Sequence, residues 1–267
     1  MDKTLIQDGR TLFYREEGSG LPVLLLHGFA EDGEVWNEIV PRLSGHCRLL
    51  IPDIPGSGKS MLLPGEPSID ALADAIKIFI DQLGIETAVL IGHSMGGYIA
   101  LAFAEKYPGR LKAFGFFHST AYADSEEKRA TRRKSIEFIR QHGAVPFIRQ
   151  STPNLFALET RESRASLVEE TILRYSRFAP ESLIYYYEAM IRRPDRVSVL
   201  RQFPGPILFL MGAKDTVIPY EKSIQQCHQP TLSIIHTLDH AGHMGMLEEP
   251  ERSSALLQSF LNFVQYS

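Results

Sequence analysis

Short apolar runs, unbroken by polar residues and separated by stretches of helical periodicity, constrain this chain more than any other feature. Val23-Leu24-Leu25-Leu26 is continuous rather than alternating, as a strand must be when both faces are buried. Leu49-Leu50-Ile51, Ala88-Val89-Leu90-Ile91, Ala113-Phe114-Gly115-Phe116-Phe117 and Ile207-Leu208-Phe209-Leu210 repeat the pattern, and Leu232-Ser233-Ile234-Ile235 does so more weakly. Between them lie segments such as Ile69 to Leu83, whose apolar positions Leu72, Ile76, Phe79, Ile80 and Leu83 follow a helical repeat. Strands alternating with helices predict an α/β fold with a mostly parallel sheet covered on both sides. The first residues differ. Leu5 to Tyr14 alternates around Asp8-Gly9, a turn pair that favours a hairpin of two antiparallel strands. Together these runs predict about eight strands.

The rhythm stops between Ala121 and Arg201, where helical patterns continue without any buried-strand run. Ser125 to His142 reads as one helix with Asp124 or Ser125 as N-cap and Gly143 as its stop. Arg161 to Phe178 and Glu181 to Arg192 read as two more. We expect residues 1–120 and 202–267 to form the core and residues 121–201 to be a helical cap inserted over one end of the sheet. The insert holds 15 Lys and Arg against 11 Asp and Glu, about +4, leaving about −8 for the remainder. A solvated helical face is the plainer meaning of that excess, and recognition of an acidic substrate is the alternative.

Over the whole chain a formal charge of −4 gives no reason to expect nucleic acid or an anionic membrane as partner. No stretch approaches the roughly 18 apolar residues of a membrane-spanning helix, and Met1-Asp2-Lys3-Thr4 does not open a secretory signal. Cys47 and Cys227 suggest neither a disulfide framework nor a zinc site, so the expected compartment is the reducing cytoplasm.

The strongest chemical signal is Gly92-His93-Ser94-Met95-Gly96-Gly97, which follows one predicted strand and precedes the helical Tyr98 to Glu105. It fits G-x-S-x-G, and a serine on so sharp a strand-to-helix turn needs small residues two positions to either side. The turn lifts the hydroxyl above the sheet and aims a helix N-terminus at it, which favours developing negative charge. A serine hydroxyl also needs a base. His243 sits in a glycine-containing loop before the last helix and is favoured over His240; His93 points away from the turn tip, His27 braces its own loop, and His118 ends a strand. Asp215 directly follows the Ile207–Met211 strand, at the sheet edge where such folds collect ligands. Asp239, only four residues before His243, is the competing acid, and Asp53 is read as structuring its own loop.

These motifs resemble the α/β-hydrolase family over nearly the whole chain. His27-Gly28-Phe29 corresponds to the family's oxyanion segment, Asp53-Ile54-Pro55-Gly56-Ser57-Gly58-Lys59-Ser60 to its Asp-x-x-Gly-x-Gly-x-Ser loop, and Gly212 to Pro219 to the segment carrying the acid. Gly242-His243, followed by Glu248-Glu249-Pro250-Glu251, corresponds to the histidine loop. The resemblance implies a serine hydrolase with Ser94 as nucleophile, Asp215 and His243 completing the triad, and the backbone N–H groups of Phe29 and Met95 as oxyanion hole. It implies no cofactor and no metal. Hydrolysis of a small-to-medium carboxylic ester or thioester through an acyl-enzyme intermediate is the leading expectation. Carbon–carbon bond hydrolysis with the same triad, or ligand binding with little turnover, are the alternatives. Gly58-Lys59-Ser60 imitates the end of a phosphate-binding loop, but Asp53 stands where its first glycine belongs. Trp36, Tyr98, Phe147, Phe156, Tyr185, Tyr186, Tyr187 and Met190 are candidate walls of an apolar pocket beneath the cap.

Overall fold

The computed structural model describes residues 2–7 and 9–266. Each predicted apolar run is a strand. In chain order these are β1 (Asp2–Gln7), β2 (Arg10–Glu17), β3 (Pro22–Leu26), β4 (Arg48–Pro52), β5 (Ala88–His93), β6 (Leu111–Phe117), β7 (Ile207–Gly212) and β8 (Ser233–Leu238). They form one sheet in the order β1-β2-β4-β3-β5-β6-β7-β8. The β1–β2 and β2–β4 pairs are antiparallel and the remaining pairs are parallel. The N-terminal hairpin is therefore present; of its Asp8-Gly9 turn pair, Asp8 lies outside the described residues.

The continuous apolar runs resolve into two faces. Leu24, Leu26, Leu90, Phe114, Phe116 and Phe209 point to one side, where the helices Ile69–Gln82 and Met95–Lys106 cover them. Their neighbours Val23, Leu25, Ile91, Phe117, Leu208 and Leu210 point to the other, under the C-terminal helix Pro250–Tyr266. Strand side chains alternate, so only a strand with helices on both sides needs every position apolar. Ser68 caps Ile69–Gln82 by accepting from the amides of Asp70 and Ala71, and Leu72, Ile76, Phe79 and Ile80 are its buried stripe. Cys47 and Cys227 are both free and buried.

From β3 the chain crosses to β4 on one side and then returns to β5 on the other. The loops after β3 and β5 thus diverge, and a crevice opens between them at the carboxyl ends of the strands. Phe29 lies in the first loop and Ser94 in the second.

Between β6 and β7 the described chain is helical, with no strand. Ser125 caps the helix Glu126–His142 and Gly143 follows it at φ 81°. The expected Arg161 to Phe178 helix is instead two, Leu158–Ser163 and Ala165–Tyr175, broken at Arg164 (φ −131°). The Arg164 guanidinium reaches out of this insert to the carbonyls of Leu247 and Glu248 (3.1 and 3.0 Å), a tertiary demand that the helical pattern did not reveal. The helix Pro180–Arg192 follows.

Asp53 is a strut between two loops of the crevice. Its Oδ1 accepts from Gly33 N–H and its Oδ2 from Lys59 N–H, both at 2.9 Å, while His27 Nε2 accepts from Ile54 N–H nearby. Burial raises the Asp53 carboxyl, and those two amides work against the rise. Asp53→Ala strands two donors, so it should cost about 2–3 kcal/mol in urea unfolding at neutral pH. A loss below about 0.5 kcal/mol, the level of an ordinary surface substitution, would contradict this role.

Candidate active site

Ser94 sits between β5 and the helix Met95–Lys106 at φ 49° and ψ −112°, in the positive-φ region that non-glycine residues avoid. Such a conformation costs on the order of 1–3 kcal/mol and persists only when its surroundings impose it. Here they do. Ser94 N–H donates to Phe117 O (3.0 Å), and Ser119 Oγ donates to Ser94 O (2.7 Å). A Cβ on Gly92 would lie 2.2 Å from Gly96 O, and one on Gly96 would lie 2.4 Å from Leu26 O. The two glycines flanking Ser94 are therefore required because β3 and the elbow backbone touch.

Asp215 follows β7 and is buried. Its Oδ1 accepts from the amides of Val217 (2.8 Å) and Ile218 (2.9 Å). Its Oδ2 lies 2.7 Å from His243 Nδ1. Burial alone would raise this carboxyl; the His243 and His118 imidazoles outweigh burial and hold it well below the usual carboxylate range. As a carboxylate it accepts from His243 Nδ1–H, which leaves Nε2 as the basic nitrogen.

Ser94 and His243 line one cavity of about 250 Å³. Phe29, Tyr98, Arg132, Phe147, Tyr175, Tyr187 and Met190 share its wall. Of the expected aromatics, Trp36 instead packs on Phe117 in the core (centroids 5.3 Å apart), and Phe156 joins the same apolar layer. Tyr186 turns its hydroxyl to the Pro55 carbonyl (2.8 Å), and Tyr185 packs into the layer on the other face. Consecutive helical residues diverge by about 100° in direction, so of this tyrosine run only Tyr187 faces the cavity. A larger open groove of about 940 Å³, sharing Tyr175 with this cavity, is lined in part by Lys59, Arg174 and Ser182, but no histidine is on its wall.

The rival residues lie away from this centre. Asp239 is exposed beside Arg252 (3.8 Å), and His240 is exposed with its amide on Glu249. His27, expected to brace its own loop, instead reaches the loop after β4, through Ser57 Oγ and Ile54 N–H.

Glu31, Glu248 and His118 also organise the site, in roles that the sequence did not assign to them. Glu31 Oε2 accepts from Gly28 N–H (2.6 Å) and from His93 Nδ1 (2.8 Å), and His93 Nε2 donates to the His243 carbonyl (2.9 Å). Burial opposes charge on both partners of the Glu31–His93 pair. Their mutual attraction wins, lowering the Glu31 pKa and raising that of His93. This pair joins the loop of Phe29 to the loop of His243. Glu248 closes the other side: its Oε1 accepts from Gly242 and Met244 amides, its Oε2 from Ala157 N–H and Thr160 Oγ. The third is His118, at φ 50°, with Nδ1 3.5 Å from Asp215 Oδ2 and neither ring nitrogen in a hydrogen bond. Gly212 and Gly245 make room for its ring, since a Cβ on either would strike it. Contacts of this kind join residues from distant parts of the chain, and no local pattern announces them.

Donor atoms of His118, Asp215 and His243 all lie within 4.8 Å of one another, a spacing open to a metal ion. An ion bonding to His243 Nδ1 and Asp215 Oδ2 would take the place of the proton they now share.

Comparison with known proteins gives a consistent result. A family model described as alpha/beta hydrolase fold matches residues 22–250. The solved structure of a thermophilic esterase from Thermogutta terrifontis is similar at a TM-score of 0.93 and 30% identity, covering 99% of this chain and 99% of that one. Pimeloyl-(acyl-carrier protein) methyl ester esterase of Methylococcus capsulatus is 26% identical over 94% of this chain and 98% of its own length. The 2-hydroxy-6-oxo-6-(2'-aminophenyl)hexa-2,4-dienoic acid hydrolase of Metapseudomonas resinovorans is 26% identical over 93% of this chain and 87% of its own.

His118 carries a testable pH signature. Burial pushes its pKa from 6.5 down to about 4, with Asp215 only partly resisting the fall. Below pH 6.5 the unfolded chain therefore binds a proton that the folded chain refuses. This contribution to stability is intact above that pH and is lost as the pH falls toward 4, by roughly 3 kcal/mol. His118→Asn, which tolerates positive φ, should flatten this part of the stability curve. Chemical unfolding at intervals from pH 7 to 4 makes the comparison, and identical acid slopes in the two proteins would rule the account out.

Proposed function

Because the chain belongs to the alpha/beta hydrolase fold family, we propose that it is a serine hydrolase that cleaves a small carboxylic ester or thioester through an acyl-enzyme. One observation carries this reading. Ser94, on its strained elbow, shares a cavity with His243, whose far nitrogen is bound to a buried carboxylate at 2.7 Å. A hydroxyl, a base and an orienting acid are the groups acyl transfer needs.

In the proposed reaction His243 Nε2 takes the Ser94 proton as Oγ attacks the substrate carbonyl carbon. The carbonyl oxygen becomes an oxyanion and accepts hydrogen bonds from the Met95 and Phe29 N–H groups, the former at a helix N-terminus whose dipole favours negative charge. Asp215 stabilises the imidazolium while remaining a carboxylate. Collapse breaks the bond to the leaving oxygen or sulfur, which receives the proton from His243. Water then attacks the Ser94 ester with His243 again taking a proton; as the Oγ–acyl bond breaks and the acid departs, that proton returns to Ser94 Oγ.

Residues 121–201 act as a cap in this reading. Arg132, Phe147, Tyr175, Tyr187 and Met190 belong to that segment and to the cavity wall, which supports a role in admitting substrate. Likeness to the Metapseudomonas resinovorans dienoic acid hydrolase supports a second reading, hydrolysis of a carbon–carbon bond by the same residues. A panel of short acyl esters, thioesters and ring-cleavage diketones separates the two.

A fluorophosphonate should label the protein stoichiometrically at Ser94, and Ser94→Ala should fold normally while losing both label and turnover. Near-wild-type turnover in that variant would end the serine-hydrolase reading. Asp215→Asn should keep the fold, by circular dichroism, and lower kcat by ~10³–10⁴-fold. Asp239→Asn should change kcat little, since its carboxylate is exposed beside Arg252. The reverse ranking would transfer the acid's role to Asp239.

A further inference from the structure

One corner of the cavity wall holds more buried positive charge than its surroundings neutralise. Asp124 is shared by two arginines: Arg132 Nε reaches Asp124 Oδ2 (2.6 Å) and Arg193 Nη2 reaches Asp124 Oδ1 (3.0 Å). The three side chains are 12%, 4% and 1% exposed for Arg132, Arg193 and Asp124, so two cations and one anion sit out of water. Burial opposes charge on Asp124, but the arginines beside it keep its carboxyl ionised.

The two cations are not equivalent. Arg193 is the more fully bonded: it also donates to the carbonyls of Met190 and Tyr122, and its guanidinium lies over the Tyr98 ring at 3.8 Å. Arg132 gives Nε and Nη2 to Asp124 and lies over Tyr187 at 5.4 Å, but its Nη1 has no hydrogen-bond partner among the described residues. Arg132, unlike Arg193, lines the cavity that holds Ser94 and His243. The other carboxylate and imidazole on that wall are committed elsewhere. Glu31 is paired with His93, and His243 with Asp215. Nearby Lys128 places its Nζ on the Val217 carbonyl (3.1 Å), and so adds positive charge to that side.

A desolvated cation left without a full counter-ion is costly, whereas a planar guanidinium with free N–H groups matches a carboxylate. We infer that Arg132 binds a carboxylate on the substrate, so that the preferred substrates are esters of small molecules bearing a second, free carboxylate. The inference rests on the hydrolase reading above and narrows it from esters in general to anionic ones. The cavity volume agrees, since about 250 Å³ equals the space of roughly eight waters and suits a short chain.

The test compares monomethyl esters of short dicarboxylic acids with the matching methyl esters whose free acid is a primary amide. The two have nearly the same shape and differ in charge. Wild-type kcat/KM should favour the acid at least tenfold, and Arg132→Gln should lower that ratio about 10–100-fold, mainly through KM of the acid. Arg132→Lys should recover part of the ratio, because charge survives while the fork is lost. A wild-type ratio near one, or a ratio unaltered by Arg132→Gln, overturns the inference while leaving ester hydrolysis standing. Fluorophosphonate labelling of the wild type supplies an arm that does not depend on the variant folding. A dicarboxylate should slow the labelling of Ser94 more than its diamide does, and equal protection counts against the site. If neither ester is cleaved but the dicarboxylate alone protects Ser94, the hydrolysis reading fails and the anion site stands.

Discussion

A serine at φ 49° cannot hold itself there, and most of what surrounds Ser94 is explained by the need to keep it in place. The β6 backbone takes its amide, Ser119 takes its carbonyl, and the end of β3 lies so close behind Gly96 that any side chain would collide with it. The local strain is offset by the packing of three adjacent strands and one helix, whose positions near the elbow are buried. The elbow therefore depends on the whole centre of the sheet, and the sheet order that places β3 beside β5 is also what opens a crevice above it.

Electrostatics set the second layer of order. Four buried imidazoles and two carboxylates crowd behind the cavity, and each acid is matched to a histidine or to amides rather than left bare. Asp215 spends one oxygen on two backbone amides and turns the other to His243 and His118. Glu31 and His93 form a buried ion pair whose hydrogen bonds end on Gly28 and on the His243 carbonyl. Two loops that meet nowhere in sequence are thus held at a fixed separation, as the proposed reaction needs of its oxyanion donor and base.

The helical insert packs against the same centre. Phe29, from the loop after β3, stacks on Tyr187 at 4.2 Å and meets Phe147 edge-on at 6.1 Å, so one residue touches both the crevice and the insert. Glu248 binds Ala157 and Thr160 of the insert through the oxygen that its partner leaves free while organising Gly242 and Met244. The insert's charge has two destinations. Arg129 and Arg140 make exposed pairs with Glu126 and Glu188, as a solvated face would, whereas Arg132 and Arg193 turn inward to one aspartate.

By itself the sequence determined the strands, the class of fold and the residues at the elbow. Those are local facts: a fully buried strand must be apolar throughout, and a nucleophile turn must be flanked by small residues. It also separated Asp215 and His243 from Asp239 and His240 by chain position, and the structure brings the first pair together and leaves the second at the surface. Only the tertiary structure decided the rest. Aromatic residues at helical spacing do not disclose which face is turned to a cavity, so Trp36, Phe156, Tyr185 and Tyr186 went to the core while Tyr187 did not. Nor does local pattern foresee a helix broken at Arg164 to satisfy carbonyls more than 80 residues away. Glu31, His118 and Arg132 are each an ordinary charged or titratable residue in sequence. Their roles arise from burial beside partners distant in the chain, and burial is what makes a charge or a hydrogen bond too costly to leave unmatched.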